Sequence, residues 1–222
     1  MKPELNINHH LTDELLAGYA SGNLSEAADL LVAAHISMCD HCRARSEAFD
    51  AVGGAMLESD ELSPDAIEMS DASLQATLAL IAAGPDQMKP TAPAAPRDIP
   101  NAIEASIGGG IDDIRWSPVG MGVKQSVLVS SKEATARLLY IPAGVAVPDH
   151  GHRGQELTLV LKGAFSDEDD YFGPGDVEIA DEDMVHSPVA DPNMDCICLA
   201  VTDASLKFQS LLPRLVQPFI GI

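Results

Sequence analysis

The chain changes its hydrophobic pattern on either side of a proline-rich segment, and that change limits the folds it can adopt. Residues 84–100 hold five of the fifteen prolines and show no apolar periodicity, which is typical of a semi-rigid, solvated linker. Before this segment, apolar residues recur three and four positions apart. After it, they form short runs separated by glycine and proline. We therefore predict two domains, an all-α domain over residues 1–83 and an all-β domain over residues 101–222.

Four helices are predicted before the linker. Thr12 and Ser25 are candidate N-caps of the first two, because a side-chain oxygen at this position can accept a free backbone N–H. A third helix should begin within residues 40–42. Ser63-Pro64-Asp65 predicts the start of the fourth, since it places a cap before a proline at the first helical position. The apolar positions of this last helix are Ile67, Leu74, Leu78 and Ile81.

Five short strands are predicted after the linker, with glycine and proline clustered between them. Short strands at regular spacing favour a sandwich or a barrel. The predicted strands are Ser126–Ser130, Thr135–Ile141, Leu157–Leu161, Val177–Ile179 and Ile197–Thr202.

The helical domain contains a candidate zinc site with the pattern H-x3-C-x2-C. His35 and Cys39 are four residues apart, which places both side chains on one face of a helix, and Cys42 can fold back from the start of the next helix. Thiolate and imidazole ligands suit zinc in a closed structural site, which needs a fourth ligand. His9 and His10 are the nearest remaining candidates. The alternative is a cluster of core residues that binds no metal.

The second domain contains a different candidate metal site. His150 and His152 are two residues apart, so both point to the same face of a strand, and Glu156 opens the next apolar strand. His186 follows on a later strand. Three imidazoles and one carboxylate suit a divalent cation in a more open site. The alternatives are an exposed polar loop and a barrel that has lost its metal.

The first of these segments resembles the zinc-binding anti-sigma domain of bacteria. The resemblance covers residues 5–83 and depends on His35, Cys39 and Cys42, together with the run HH-L-x-DELL-x-x-Y-A-x-G-x-L from His9 to Leu24. It is closest to ChrR-type anti-sigma factors, which implies that His10 completes the site. The resemblance also implies a protein partner, an extracytoplasmic-function (ECF) sigma factor, which such domains keep away from RNA polymerase.

The second domain is similar to cupins, which implies a jelly-roll barrel with a central metal. The pattern from Gly144 to Gly163, with its two histidines and one glutamate, matches the first cupin motif at every position. Gly173-Pro174-Gly175-Asp176 with His186 resembles the second motif, without the asparagine that often follows the histidine. The resemblance covers residues 105–205 and implies His150, His152, Glu156 and His186 as ligands of zinc or another divalent metal.

Charge and hydropathy exclude other classes of function. The net charge is −21, and residues 1–83 contribute −11 from fourteen acidic and three basic side chains. This charge disfavours direct binding of nucleic acid and favours a basic protein partner. We find no apolar run long enough to cross a membrane and no signal peptide, so we expect a cytoplasmic protein.

Together, the two resemblances imply a regulator and not an enzyme. The helical domain would inhibit the sigma factor, and the cupin would sense singlet oxygen or an organic peroxide and trigger release. Cys196 and Cys198 share one face of a predicted strand, where they are either redox sensors or small core residues. The alternative function is a cupin metalloenzyme, a dioxygenase or isomerase, with a zinc-binding helical appendage.

Overall fold

The computed structural model describes residues 5–58, 70–84, 99–148, 150–151, 154–168, 170–182, 184–204 and 207–208. Helices precede strands along the chain, as the change in hydrophobic pattern predicts, but the helical part extends past residue 100 into the segment predicted to be all-β, because a short helix there packs on an earlier helix. The helices are α1 (Asp13–Ala20), α2 (Glu26–Ile36), α3 (Asp40–Leu57), α4 (Asp71–Ala83) and α5 (Asn101–Ile107), followed by a 3-10 turn, Ile111–Asp113.

Short polar side chains begin the first helices, as predicted. The Thr12 hydroxyl accepts the backbone N–H of Leu15 at 3.4 Å, and the Ser25 hydroxyl accepts that of Ala28 at 3.3 Å. The third predicted helix begins at residue 40, within the predicted bounds. The predicted start of the fourth helix at Ser63-Pro64-Asp65 lies outside the described residues. The described part, α4, begins after the N-cap Ser70.

The twelve strands of the described chain form one large sheet and two small ones. The strands are β1 (Ser117–Gly120), β2 (Val123–Ser130), β3 (Thr135–Ile141), β4 (His150–Gly151), β5 (Glu156–Lys162), β6 (Phe165–Ser166), β7 (Tyr171–Phe172), β8 (Val177–Ala180), β9 (Val185–His186), β10 (Val189–Ala190), β11 (Cys196–Thr202) and β12 (Lys207–Phe208). The large sheet is antiparallel with the order β1-β2-β3-β11-β5-β8, and the small sheets have the orders β10-β6-β7 and β12-β4-β9. All five predicted strands are confirmed, as β2, β3, β5, β8 and β11.

The two faces of the large sheet are covered by different parts of the chain. One face turns towards the small sheets and encloses the barrel interior, where Val160 and Cys198 pack with Phe165 and Phe172. The opposite face packs against the helices. Because both faces are covered, the strands β5 and β11 are each buried over six consecutive residues instead of alternating between buried and exposed positions.

Helices and sheet share one hydrophobic core. Leu16 of α1 and Leu31 of α2 belong to the same cluster of buried side chains as Leu138, Leu159 and Leu199 of the sheet. Each fully buried leucine stabilises the fold by about 1.5–3 kcal/mol relative to an exposed one. The helical domain is therefore packed directly on the barrel, and α5 adds to the contact by packing against α2. The predicted linker lies mostly in residues 85–98, outside the described residues, so its bounds stay a prediction.

Among the helices in the described ranges, none combines the length and the apolar character that a membrane crossing requires.

Candidate metal centre

Four side chains of the helical domain converge on one point, although they come from three separate segments. His10 precedes α1, His35 lies near the end of α2, Cys39 is the N-cap of α3, and Cys42 follows in its first turn. One ligand atom from each lies within 4.8 Å of all the others. The Cys39 and Cys42 sulfurs lie 3.3 and 3.6 Å from His10 Nδ1. Zinc bonds of about 2.0–2.3 Å in a tetrahedron require ligand separations of about 3.3–3.8 Å, so the arrangement fits a tetrahedral metal ion.

The environment of His35 keeps its imidazole neutral and oriented. The side chain is fully buried, and its Nδ1–H donates a hydrogen bond of 2.9 Å to the Gly175 carbonyl oxygen. Its Nε2 is buried and has no hydrogen-bond partner within the described part of the chain. Burial lowers the pKa of His35 to about 4, because an imidazolium loses its hydration there. A neutral imidazole with a buried, unbonded nitrogen is the form that binds a metal.

The Cys42 thiol needs a neighbouring cation to become a thiolate ligand. Burial raises the pKa of Cys42 to about 11, so in the metal-free protein this group stays a neutral thiol. A divalent cation next to the sulfur reverses that preference, because metal binding displaces the proton and stabilises the thiolate.

The structure separates the two histidines between which the spacing could not decide. His9 Nε2 lies 2.8 Å from Asp170 Oδ2, and the centroid of the His9 ring lies 4.4 Å from the centroid of the Phe172 ring. His10 points instead into the cluster with the two cysteines. His41, between those cysteines in the sequence, packs its ring 4.6 Å from that of His10 but does not join the cluster.

The second predicted site is located only in part. Glu156 on β5 and His186 on β9 are buried, and the backbone of His150 pairs with that of His186 between β4 and β9. The side chain of His150 and the whole of His152 lie outside the described residues. The four-ligand set therefore stays a prediction.

Two acidic residues beside His186 escaped sequence reasoning. Glu178 Oε1 lies 2.8 Å from His186 Nδ1, and Asp167 Oδ2 lies 4.0 Å from the same nitrogen. These three side chains form a second cluster that could hold a metal ion. Burial by itself would lower the pKa of His186, but the hydrogen bond and the charge of Glu178 raise it overall. The available signal was Glu178, an acidic residue within the predicted apolar strand β8, whereas Asp167 lies in an acidic turn whose spacing matches no ligand motif.

Cys196 and Cys198 have the environment of core residues. Both are buried on the side of β11 that faces the barrel interior. The hydrogen bond with Cys196, and then burial, raise the pKa of Cys198 well above its ordinary value. Reactive thiols are instead accessible and have a low pKa, so the structure favours packing over redox sensing.

Several large apolar side chains of α3 and α4 are exposed. None of the residues of α4, all of which are described, is buried. We call the exposed apolar residues of these two helices the apolar helix surface, and it consists of Val52, Met56, Leu57, Leu74, Leu78, Leu80 and Ile81. An exposed apolar helix face is a candidate interaction site.

Comparison with known proteins finds similarity along nearly the whole chain. A family model described as a ChrR Cupin-like domain matches residues 105–205. The anti-sigma-E factor ChrR of Cereibacter sphaeroides is 52% identical over 218 residues, which are 98% of this chain and all of that protein. A crystal structure of Rhodobacter sphaeroides SigE in complex with the anti-sigma ChrR matches with a TM-score of 0.72 and 49% identity, over 89% of this chain and 100% of that one. The similarity therefore covers the helices as well as the barrel.

Proposed function

Since the chain belongs to the family of the anti-sigma factor ChrR, we propose that it binds and inhibits a sigma factor of the ECF type. One observation carries this proposal. A relative that is 52% identical over 98% of this chain and all of its own length is an anti-sigma factor, and a similar solved chain is in complex with SigE. A regulator that acts by binding has no need of turnover, so we propose that the chain is not an enzyme.

The apolar helix surface and the charge of the helical domain support this proposal. Apolar side chains of α4 that are exposed in the described chain offer a partner a hydrophobic contact. The charge of −11 over residues 1–83 favours a basic partner, because complementary potentials speed encounter and suppress wrong partners. A bound sigma factor is withdrawn from the polymerase by mass action.

We propose zinc as the metal of the helical domain, held by His10, His35, Cys39 and Cys42. Two thiolates and two imidazoles form a closed tetrahedral set, which is typical of a structural zinc site. The ion would join the segment before α1 to the adjoining ends of α2 and α3. Its binding free energy would then contribute directly to folding of this domain.

We propose that the barrel is the sensing part, with His150, His152, Glu156 and His186 as ligands of zinc or another divalent metal. An oxidant such as singlet oxygen or an organic peroxide would modify a metal ligand of the barrel and so change how the barrel packs on the helices. Direct contact of α2 with strands of the large sheet supports such a route. Release requires that the sigma factor bind the two states with different affinity.

Co-expression with an ECF sigma factor from the same genome tests the central proposal. We expect a stable one-to-one complex and loss of transcription from a promoter that depends on this sigma factor. A well-folded, zinc-loaded chain that neither binds the sigma factor nor reduces transcription would refute it. Turnover of small cupin substrates by the same preparation would favour the alternative, a metalloenzyme with a helical appendage.

A further inference from the structure

A turn of the barrel reaches into the cluster of the helical domain. The turn is Gly173–Asp176, which leads into β8. Its Gly175 carbonyl accepts the hydrogen bond from His35 Nδ1 at 2.9 Å, across 140 residues of sequence. The acceptor of this buried imidazole therefore comes from the barrel and not from the helices.

The carboxylate of Asp176 holds the segment that carries His10. Asp176 is only 2% exposed, and its Oδ1 accepts the backbone N–H groups of Asn8 at 2.7 Å and His9 at 2.9 Å. Its Oδ2 accepts the N–H of Gly173 at 2.8 Å, which closes the turn. One buried carboxylate thus fixes both the shape of the turn and the path of the chain into His10.

The approach of the two domains at this point requires glycine. Gly175 has φ +94°, and a Cβ placed there would lie 2.6 Å from Ile7 Cδ1, closer than non-bonded carbons can come. An alanine would therefore be strained in its backbone and would press against the segment before His10. At this contact the backbone of Gly175 in the barrel lies directly against the Ile7 side chain of the helical domain.

We propose that the turn Gly173–Asp176 orients His10 and His35, so that the barrel sets how firmly the helical domain holds its zinc. This inference rests on the zinc site proposed above. Metal-binding histidines depend on the partner of their second ring nitrogen for orientation, and loss of such supporting contacts commonly weakens binding about 10–100-fold. Asp176 is a positioning residue here, since it acts through the two histidines and does not itself join the cluster.

Substitution of the carboxylate by an amide tests the proposal in the full-length protein. Three backbone N–H groups donate to Asp176, and His9 Nδ1 lies 3.5 Å from its Oδ1. In Asp176→Asn the amide nitrogen must therefore face at least one of these N–H donors. We expect zinc transfer to a chelator to become about 10–100-fold faster. The absorption bands of the cobalt-substituted protein should shift, because these bands report the ligand geometry, while the circular dichroism stays unchanged. Asp191→Asn is the matched control, since Asp191 accepts the N–H of Asn193 at 2.8 Å in another turn of the barrel.

Gly175→Ala supplies an independent variant, which should also speed zinc release. A third measurement needs no substitution. The N–H of Val177 donates to the His9 carbonyl oxygen at 3.3 Å, next to His10. Removal of zinc from the wild-type chain should increase hydrogen exchange at the amides of Gly173 and Val177, and leave that of Asn193 unchanged.

The outcomes separate this inference from the proposed function. A wild-type chain that contains no zinc in the helical domain refutes the zinc site itself. A zinc-loaded wild type whose folded variants release metal at the wild-type rate overturns the role of the turn. Where neither variant folds, unchanged exchange at Gly173 and Val177 after zinc removal overturns it equally.

Discussion

Burial of His35 couples its protonation to the stability of the fold. The folded protein holds this side chain neutral, whereas an unfolded chain would protonate it near its ordinary pKa of 6.5. Its two ring nitrogens have different surroundings, because Nδ1 is bonded to Gly175 and Nε2 has no partner within the described residues. A buried polar nitrogen without a partner destabilises the fold, and a metal ion at that position would remove the penalty.

Loss of a zinc ligand should destabilise the helical domain. For His35→Ala and for Cys39→Ala we expect loss of one zinc ion per chain, a lower free energy of unfolding and loss of sigma-factor inhibition, because the binding free energy of a structural zinc ion contributes directly to folding. Zinc content, circular dichroism and transcription measure these effects. His41→Ala is the control, since His41 lies beside the cluster but outside it. Full inhibition by both ligand variants would contradict the structural role of zinc.

The metal-free protein should become less stable as the pH falls from about 6.5 towards 4. The folded-state pKa of His35 is lowered to about 4 from 6.5, so below pH 6.5 the unfolded chain binds the extra proton and the free energy of unfolding decreases. Urea unfolding of chelator-treated protein at several pH values measures this slope. In His35→Gln, whose amide can still donate to Gly175, the slope between pH 6.5 and 5 should be shallower. Equal slopes would show that another group is responsible.

Among the elements, α4 differs from the other α-helices because none of its residues is buried in the described chain. Leu74, Leu78 and Ile81 follow the spacing of a buried face, yet all three are exposed. The spacing correctly predicted a helix, but burial depends on what lies opposite. Our proposed occupant of this face is the sigma factor.

Truncation of the α4 side chains should weaken binding of the sigma factor without affecting the fold. For Leu78→Ala with Ile81→Ala we expect at least a tenfold loss of affinity, because apolar groups central to an interface commonly contribute more than about 1.4 kcal/mol each. Val127→Ala with Met121→Ala on the barrel is the control. Val127 and Met121 are 51% and 70% exposed, close to the 48% of Leu78 and the 69% of Ile81. Titration calorimetry measures both pairs. Equal affinities would exclude this face of α4 from the interface.

At the scale of the whole molecule, the shared core makes the stability of each domain depend on the other. Side chains of α1 and α2 and the outer face of the large sheet form one buried cluster. The turn Gly173–Asp176 adds polar contacts at the edge of the same interface. A change inside the barrel therefore has a short path to the helices, which a flexible tether alone would not provide.

A cavity on either side of the shared core should destabilise both domains together. We expect Leu31→Ala in α2 and Leu199→Ala in β11 each to lower the free energy of unfolding by about 2–5 kcal/mol. Helical and sheet signals in circular dichroism should then shift to the same lower temperature. Leu57→Ala is the control, because Leu57 is exposed. Separate transitions, with only one domain affected by each substitution, would show that the domains unfold independently.

Local patterns in the sequence were enough to predict the kinds of elements and three of the four members of the cluster in the helical domain, whereas the choice of His10 over His9 needed the fold. N-caps such as Thr12 and Ser25 act within one turn of a helix. The spacing from His35 to Cys42 brings His35 and the two cysteines together through a single helix–turn–helix. Strand positions followed from runs of apolar residues between turns. Each of these features depends on neighbours in the chain, so periodicity and spacing report them.

Tertiary structure alone decided the contacts between residues that are distant in sequence. Only the folded chain shows that Asp176 fixes the entry to His10, that Glu178 bonds His186 inside the barrel, and that the helices cover the outer face of the large sheet. Buried strands and buried helices have similar apolar content, so the sequence does not reveal which surface lies opposite which. The choice is made by the shape and the hydrogen-bonding capacity of surfaces that meet only when the chain is folded.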